Sequence, residues 1–282
     1  MGGAGKVKYS PIKSNGVLVG LLLGAAIFGF VIWGISYSLG PDDRALKMAL
    51  NIPAYAFLFV FIYLLYGALT LGYETDEKGL TINWGVRTIK IKWEQITEII
   101  EVKGSSNLYS ILGVSWPGYM IGLYSAKGIG TARMYATKPQ DGFIYLKTES
   151  GFFGITPENP ELKKILAEKA QKNLEIIDMD RMDPDLKGKS MQEDRFYSIL
   201  YKLNLVLLVL FGVYLLAFYP GSGAPRFTVL LLVLAVALFF FSIGNASRLY
   251  NFSEQGGYIL MLVGLAVTGI FLILALSEIS LK

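Results

Sequence analysis

The 282-residue chain contains no cysteine and no histidine. The first absence excludes disulfides, thiolate nucleophiles and zinc–sulfur sites. The second removes the commonest general base and the commonest transition-metal ligand. Catalysis would have to rest on carboxylates, Lys, Tyr or Ser, so the expectation is a protein that is not an enzyme and holds no cofactor. Charge is scarce as well. Only 17% of residues are charged against 53% hydrophobic, and the mean hydropathy is +0.48. That is a membrane composition. The charge is also unevenly placed: 17 Lys/Arg and 18 Asp/Glu lie between Tyr73 and Arg195, and the other 9 Lys/Arg and 4 Asp/Glu belong to the apolar parts. A nucleic-acid binder needs the reverse, a basic soluble region, so no nucleic-acid partner is expected.

Long apolar runs are what the chain has in plenty. Five read as membrane helices, at 17–39, 52–71, 199–219, 227–243 and 258–276, each about long enough at ~1.5 Å per residue to cross a bilayer. Residues 1–72 comprise a polar arm with Lys6, Lys8 and Lys13 and the first two spans. Ser38-Leu39-Gly40 lacks a small-x-small cleavage pattern, so the first span reads as an uncleaved anchor. Gly16, Gly20 and Gly24 recur every four residues and share one helix face, which would let another helix approach. Pro41 to Asn51 reads as a turn, with Pro53 early in the second helix. Residues 244–257 read as a short loop holding Arg248 and Glu254. Residues 174–198 read as an acidic linker, 174–189, with Asp178, Asp180, Asp183 and Asp185, and a helix start at the capping box Ser190-Met191-Gln192-Glu193. The linker lacks the sixth-position glycine and twelfth-position glutamate of a calcium loop, so no metal is expected there. The arm's three lysines place the arm, and after two spans the soluble stretch, in the cytoplasm.

The stretch 73–173 differs from the rest. Its apolar blocks are short and alternate, as in Thr88-Ile89-Lys90-Ile91-Lys92-Trp93, the period of a half-buried strand. Strands are expected near 72–76, 79–84, 87–93, 96–103, 118–125, 131–137, 142–148 and 151–156, with 104–117 irregular and Gly128-Ile129-Gly130 a hairpin turn. Asn159, Pro160 and Glu161 open a helix that carries Leu162, Ile165, Leu166 and Ala170 on one stripe. Seven or eight strands closed by one helix is the layout of a pleckstrin-homology-like barrel. The fold class is therefore a five-helix membrane protein with an inserted α+β PH-like domain. Trp116-Pro117-Gly118-Tyr119-Met120-Ile121-Gly122-Leu123-Tyr124, Met134-Tyr135-Ala136-Thr137, Phe143 to Thr148 and Gly154-Ile155-Thr156-Pro157-Glu158-Asn159-Pro160 resemble the bacterial PH-domain family of membrane proteins, over about 110–170. The resemblance implies a fold and no particular activity.

Two surfaces are candidate sites. Lys78, Arg87, Lys90 and Lys92 resemble the phosphoinositide-binding arrangement of eukaryotic PH domains, and they would meet anionic headgroups. Glu74, Asp76, Glu77 and Glu94 dilute that patch, and the bland alternative is a solvated sheet face. Leu108, Tyr109, Trp116, Tyr119 and Tyr124 form a candidate partner surface. The expected role is a multi-pass protein of the cell membrane that displays its PH-like domain as a protein- or lipid-binding scaffold. Membrane lipids and a protein partner, or self-association, are the expected contacts. The alternative is a transport or export component, which would need a cavity lined by Asn204, Ser242 and Asn245. Lys202, Glu254 and Glu278 leave the bilayer middle without the charge that ion coupling uses. A membrane enzyme would need paired acids at the interface, which Glu254 alone does not supply.

Overall fold

The computed structural model describes residues 6–187, 191, 193–221 and 223–280. The chain divides into two compact units, Met1–Leu23 with Val60–Lys189, and Gly24–Phe59 with Ser190–Lys282.

The first unit is built on two sheets. Strands β1 (Val7–Tyr9), β2 (Gly72–Thr75), β3 (Gly79–Trp84) and β4 (Arg87–Lys92) form an antiparallel sheet in that order. The remaining strands are β5 (Ile96–Lys103), β6 (Leu108–Trp116), β7 (Tyr119–Ala126), β8 (Gly130–Ala136), β9 (Phe143–Thr148), β10 (Gly151–Ile155) and β11 (Leu174–Asp178). They make a seven-stranded sheet in the order 11-5-9-10-8-7-6, parallel only at β10–β8 and β11–β5. A single turn of 3-10 helix, Trp93–Gln95, redirects the chain between β4 and β5, which pair in different sheets. The expected closed barrel is therefore corrected to two open sheets. Leu80, Ile82 and Ile91 from one sheet and Ile96, Ile99, Leu146 and Ile155 from the other share a core with Leu162 and Leu166 of helix α3 (Glu161–Ala170). The Asn159 side chain accepts from the Glu161 amide at 2.8 Å at the start of α3.

Three of these strands depart from the expectation. Residues 104–117 are not irregular but contain β6. A bulge between Ser110 and Leu112 breaks the alternation that would have marked the strand. The polar arm is not free: Val7–Tyr9 pair with Thr75–Tyr73, and Tyr9 is buried. The acidic linker opens as β11, whose Leu174 to Asp178 align with Ile99 to Lys103. The β1–β2 pairing joins segments separated by two apolar helices, α1 (Gly16–Ser38) and α2 (Arg44–Thr70). Strands can pair only on one side of a bilayer, and two crossings return the chain to the side it left.

α1, α2, α5 (Arg195–Phe218), α6 (Arg226–Phe252) and α7 (Glu254–Ser280) are each long and apolar enough to cross a membrane, so the chain is a membrane protein. A short helix, α4 (Pro184–Lys187), precedes α5 in the linker. α2 begins eight residues before the expected 52, which leaves Pro53 in the helix interior. The reason is local: Asp43 accepts from the Gly40 amide through its carboxylate and from the Lys47 amide through its carbonyl, closing a first turn. The expected loop 244–257 is helical except for Ser253. Asn245 and Asn251 donate to the Phe241 and Ser247 carbonyls at 2.8 Å, so their polarity is absorbed by the preceding turn rather than by a loop. Ser190 and Gln192 of the expected capping box lie outside the described residues; α5 starts instead at Arg195, with Asp194 accepting from the Tyr197 amide at 2.9 Å.

Within the second unit, polar side chains tie the helices. Asn204 on α5 donates to the Met261 carbonyl of α7 at 3.0 Å, and Tyr214 donates to that of Ala275 at 2.9 Å. Asp194 receives the Tyr250 hydroxyl at 2.7 Å and also that of Tyr258, so one carboxylate joins α5, α6 and α7. Burial pushes this carboxyl up, but the two hydroxyls and the Tyr197 and Phe196 amides outweigh it and bring its pKa down to about 2.

Two predictions follow from these contacts. Tyr73 is 1% exposed; its hydroxyl donates to the Tyr135 carbonyl at 2.7 Å and accepts from the Thr156 amide at 3.1 Å, while burial raises its pKa to about 12. Tyr73→Phe strands both backbone groups and should cost about 1–3 kcal/mol, read as an earlier fluorescence melt of the solubilised protein. The Asp194 pKa lies below the unfolded value of about 3.9. Its stabilisation is thus present above about pH 4 and is lost as pH falls toward 2. Helical melting temperature should fall across that window, and Asp194→Asn should start lower and lack this part of the slope.

Candidate functional site

Alternation sorts the β3–β4 hairpin into two faces. Leu80, Ile82 and Ile91 enter the core; Thr81, Asn83, Thr88, Lys90 and Lys92 point away from it. Register sets Lys8 beside Glu74, Glu74 beside Thr81 and Thr81 beside Lys90, a polar row across all four strands. Lys8 and Glu74 pair at 3.5 Å. Over this face lies an open groove of about 690 Å³ lined by Lys6, Glu74, Asp76, Lys78, Lys90 and Lys92 among others. Asp76 holds the turn into β3: its carboxylate accepts the Lys78 and Gly79 amides at 2.7 and 3.0 Å. The Lys78 amide is the main cause that lowers its pKa, with Gly79, Lys6 and the Lys78 charge acting the same way. Of the four basic residues expected at one site, Lys78, Lys90 and Lys92 line this groove. Arg87 has the parity of Ile89 and Ile91 and stands exposed at the opposite end of the strand.

That opposite end is a hairpin tip, and it meets α2. The Trp84 and Tyr63 rings stack edge-on with centroids 5.2 Å apart, and a Cβ on Gly67 would run into the Trp84 indole. Gly85 takes φ +57°, which suits glycine, and donates to the Thr70 hydroxyl at 2.7 Å. The β6–β7 tip does the same on α1. Trp116 donates from its indole to the Gly16 carbonyl at 2.7 Å, and Ser14 donates to the Gly118 carbonyl at 2.7 Å. A Cβ on Gly16 would stand 2.7 Å from the Gly118 oxygen, and one on Gly20 would stand 2.8 Å from Leu65 and 3.0 Å from Trp116. The glycine face of α1 thus admits a hairpin tip as well as a helix. Gly24, the third member of that face, is buried. The Trp84 indole donates to the Tyr119 hydroxyl and links the two tips.

The expected aromatic partner surface is corrected accordingly. Tyr119 and Tyr124 are 2% exposed and belong to the core, while Leu108, Tyr109 and Trp116 are half-buried. On this edge strand Leu112, at 72%, and Val114 are the exposed large apolar side chains. Among the residues the sequence did not single out, Val86 at the β3–β4 tip is 77% exposed. The Gly85 turn was the signal for it. Among the described residues no cluster of three or more acidic groups is placed to hold a metal. In the second unit, Asn204 and Ser242 are buried and Asn245 faces its own helix.

The domain is thus two open sheets packed with a C-terminal helix, in a chain whose helices are long and apolar enough to span a membrane. Residues 71–170 match the family model of a bacterial PH domain. Comparison with curated proteins finds no match, and neither does comparison with solved structures.

Gly67→Leu should expel the Trp84 indole, red-shift tryptophan emission and lower the melting temperature of the sheets. Gly212→Leu, where a Cβ meets nothing within 4 Å, is the matched control and should change neither.

Proposed function

We propose that the chain is a multi-pass protein of the cell membrane that presents its PH domain in the cytoplasm as a non-catalytic binding module, with a protein as the ligand of the groove over β2–β4. The groove's mixture of charges carries this reading, and its distance from the hairpin tip adds to it. β4 runs six residues from the tip on α2, so Lys92 lies roughly 20 Å from that tip, at about 3.3 Å per residue. This exceeds a Debye length of about 8 Å at physiological salt, so Lys78 and Lys92 feel the headgroups less than a residue at the tip does. Their mixture with Glu74, Asp76 and Glu77 also suits a protein surface of both signs better than a phosphate.

The transport reading has less support. The Asn204 amide is spent on the Leu200 and Met261 carbonyls, and a Cβ on Gly264 would stand 2.9 Å from the Ser242 hydroxyl, so these polar groups serve close helix packing.

Purification in mild detergent with native lipid, followed by mass spectrometry, tests the ligand class. A stoichiometric protein that is lost from Lys90→Glu/Lys92→Glu supports the reading; a partner retained by that variant sinks it. Because the chain has no cysteine, Lys92→Cys reports orientation directly. An impermeant maleimide should label it only after the cells are opened.

A further inference from the structure

The β3–β4 tip touches α2 at a depth that can be counted. From Met48 to Thr70 the helix carries no charge, ~34 Å against a hydrocarbon core of about 30 Å. The surplus is about one turn or less, so the membrane boundary falls within a turn of Thr70. Tyr63, Tyr66 and Gly67 lie four to eight residues before Leu71, roughly 6–12 Å along the helix. Gly85 sits against these three residues: its Cβ would stand 3.6–3.7 Å from each. Trp84, Tyr63 and Tyr66 thus form an aromatic group of the type that marks the interface layer. Val86 comes next and leaves 77% of its surface uncovered. At this depth a side chain left open by the protein faces acyl chains rather than water. Arg87 follows, exposed, with a stem long enough to carry its guanidinium back to the phosphate layer.

We propose that the tip Trp84-Gly85-Val86-Arg87 dips into the bilayer, with Val86 among the upper acyl carbons and Arg87 on a lipid phosphate. This makes the PH domain a lipid-contacting element through its hairpin tip, at a site separate from the lysine groove. The inference rests on α2 crossing the membrane and not on what the groove binds.

The full chain tests it in native membranes, with p-benzoylphenylalanine placed at position 86 and, for comparison, at position 92. Irradiation should give lipid adducts at 86 and none at 92. Protein adducts alone at 86, or equal lipid labelling at both positions, would overturn the proposal. A label-free arm addresses the arginine. Native mass spectrometry of the protein released from phosphatidylglycerol-containing nanodiscs should show at least one fewer bound phospholipid for Arg87→Gln, with Lys90→Gln unchanged. Equal retention in the two variants would overturn the phosphate contact.

Discussion

The architecture depends on indole rings lying on glycine. Two tryptophans at two hairpin tips reach two apolar helices at glycine positions, Trp84 on Gly67 of α2 and Trp116 on Gly16 and Gly20 of α1. Each contact needs a helix surface without a side chain, because an indole is broad and flat and its area is lost if it is held off by even one methyl group. The amphipathic ring also suits this place, since it offers one N–H to a carbonyl or hydroxyl and an apolar body to everything else. The sheets are thereby fixed to the ends of two helices at several points rather than tethered by a linker. α2 passes into β2 with only Leu71 between them.

The legible parts of the sequence were those with a strong local period. The five apolar runs and the alternation of Thr88 to Trp93 stood out because a single physical demand, burial on one side or all round, repeats along each. β1 was illegible because three residues carry no period and their partner is more than sixty residues away. β6 was hidden by its bulge. The helical course of 244–252 was hidden because Asn245 and Asn251 look like loop residues until their side chains are seen to bond the preceding turn.

The candidate site was legible in its residue types and not in its geometry. Lys78, Lys90 and Lys92 do gather on one face, as alternation requires, but a tight turn sends Arg87 to the other end of the strand. The aromatics Trp116, Tyr119 and Tyr124 looked like a docking surface, since nothing in a one-dimensional string separates an exposed aromatic from one that seals a joint. Asp194 shows the same limit in the helical unit. Its bonds to Tyr250 and Tyr258 span more than fifty residues, beyond any motif.

The pairing of β1 with β2 sets an order of events during synthesis. Val7–Tyr9 leave the ribosome before their partner, and their hydrogen-bonding edge does not exist until Gly72–Thr75 have followed two complete helices. The arm must therefore wait, unpaired, while α1 and α2 are threaded. Its docking then closes a loop that contains both of them. β11 imposes a second delay, because Leu174–Asp178 come four residues beyond the end of the matched domain and still add the last strand beside β5. A fragment cut at 71 and 170 would lose both strands and bare the two indoles. This domain is thus completed by its flanks and cannot be treated as a portable cassette.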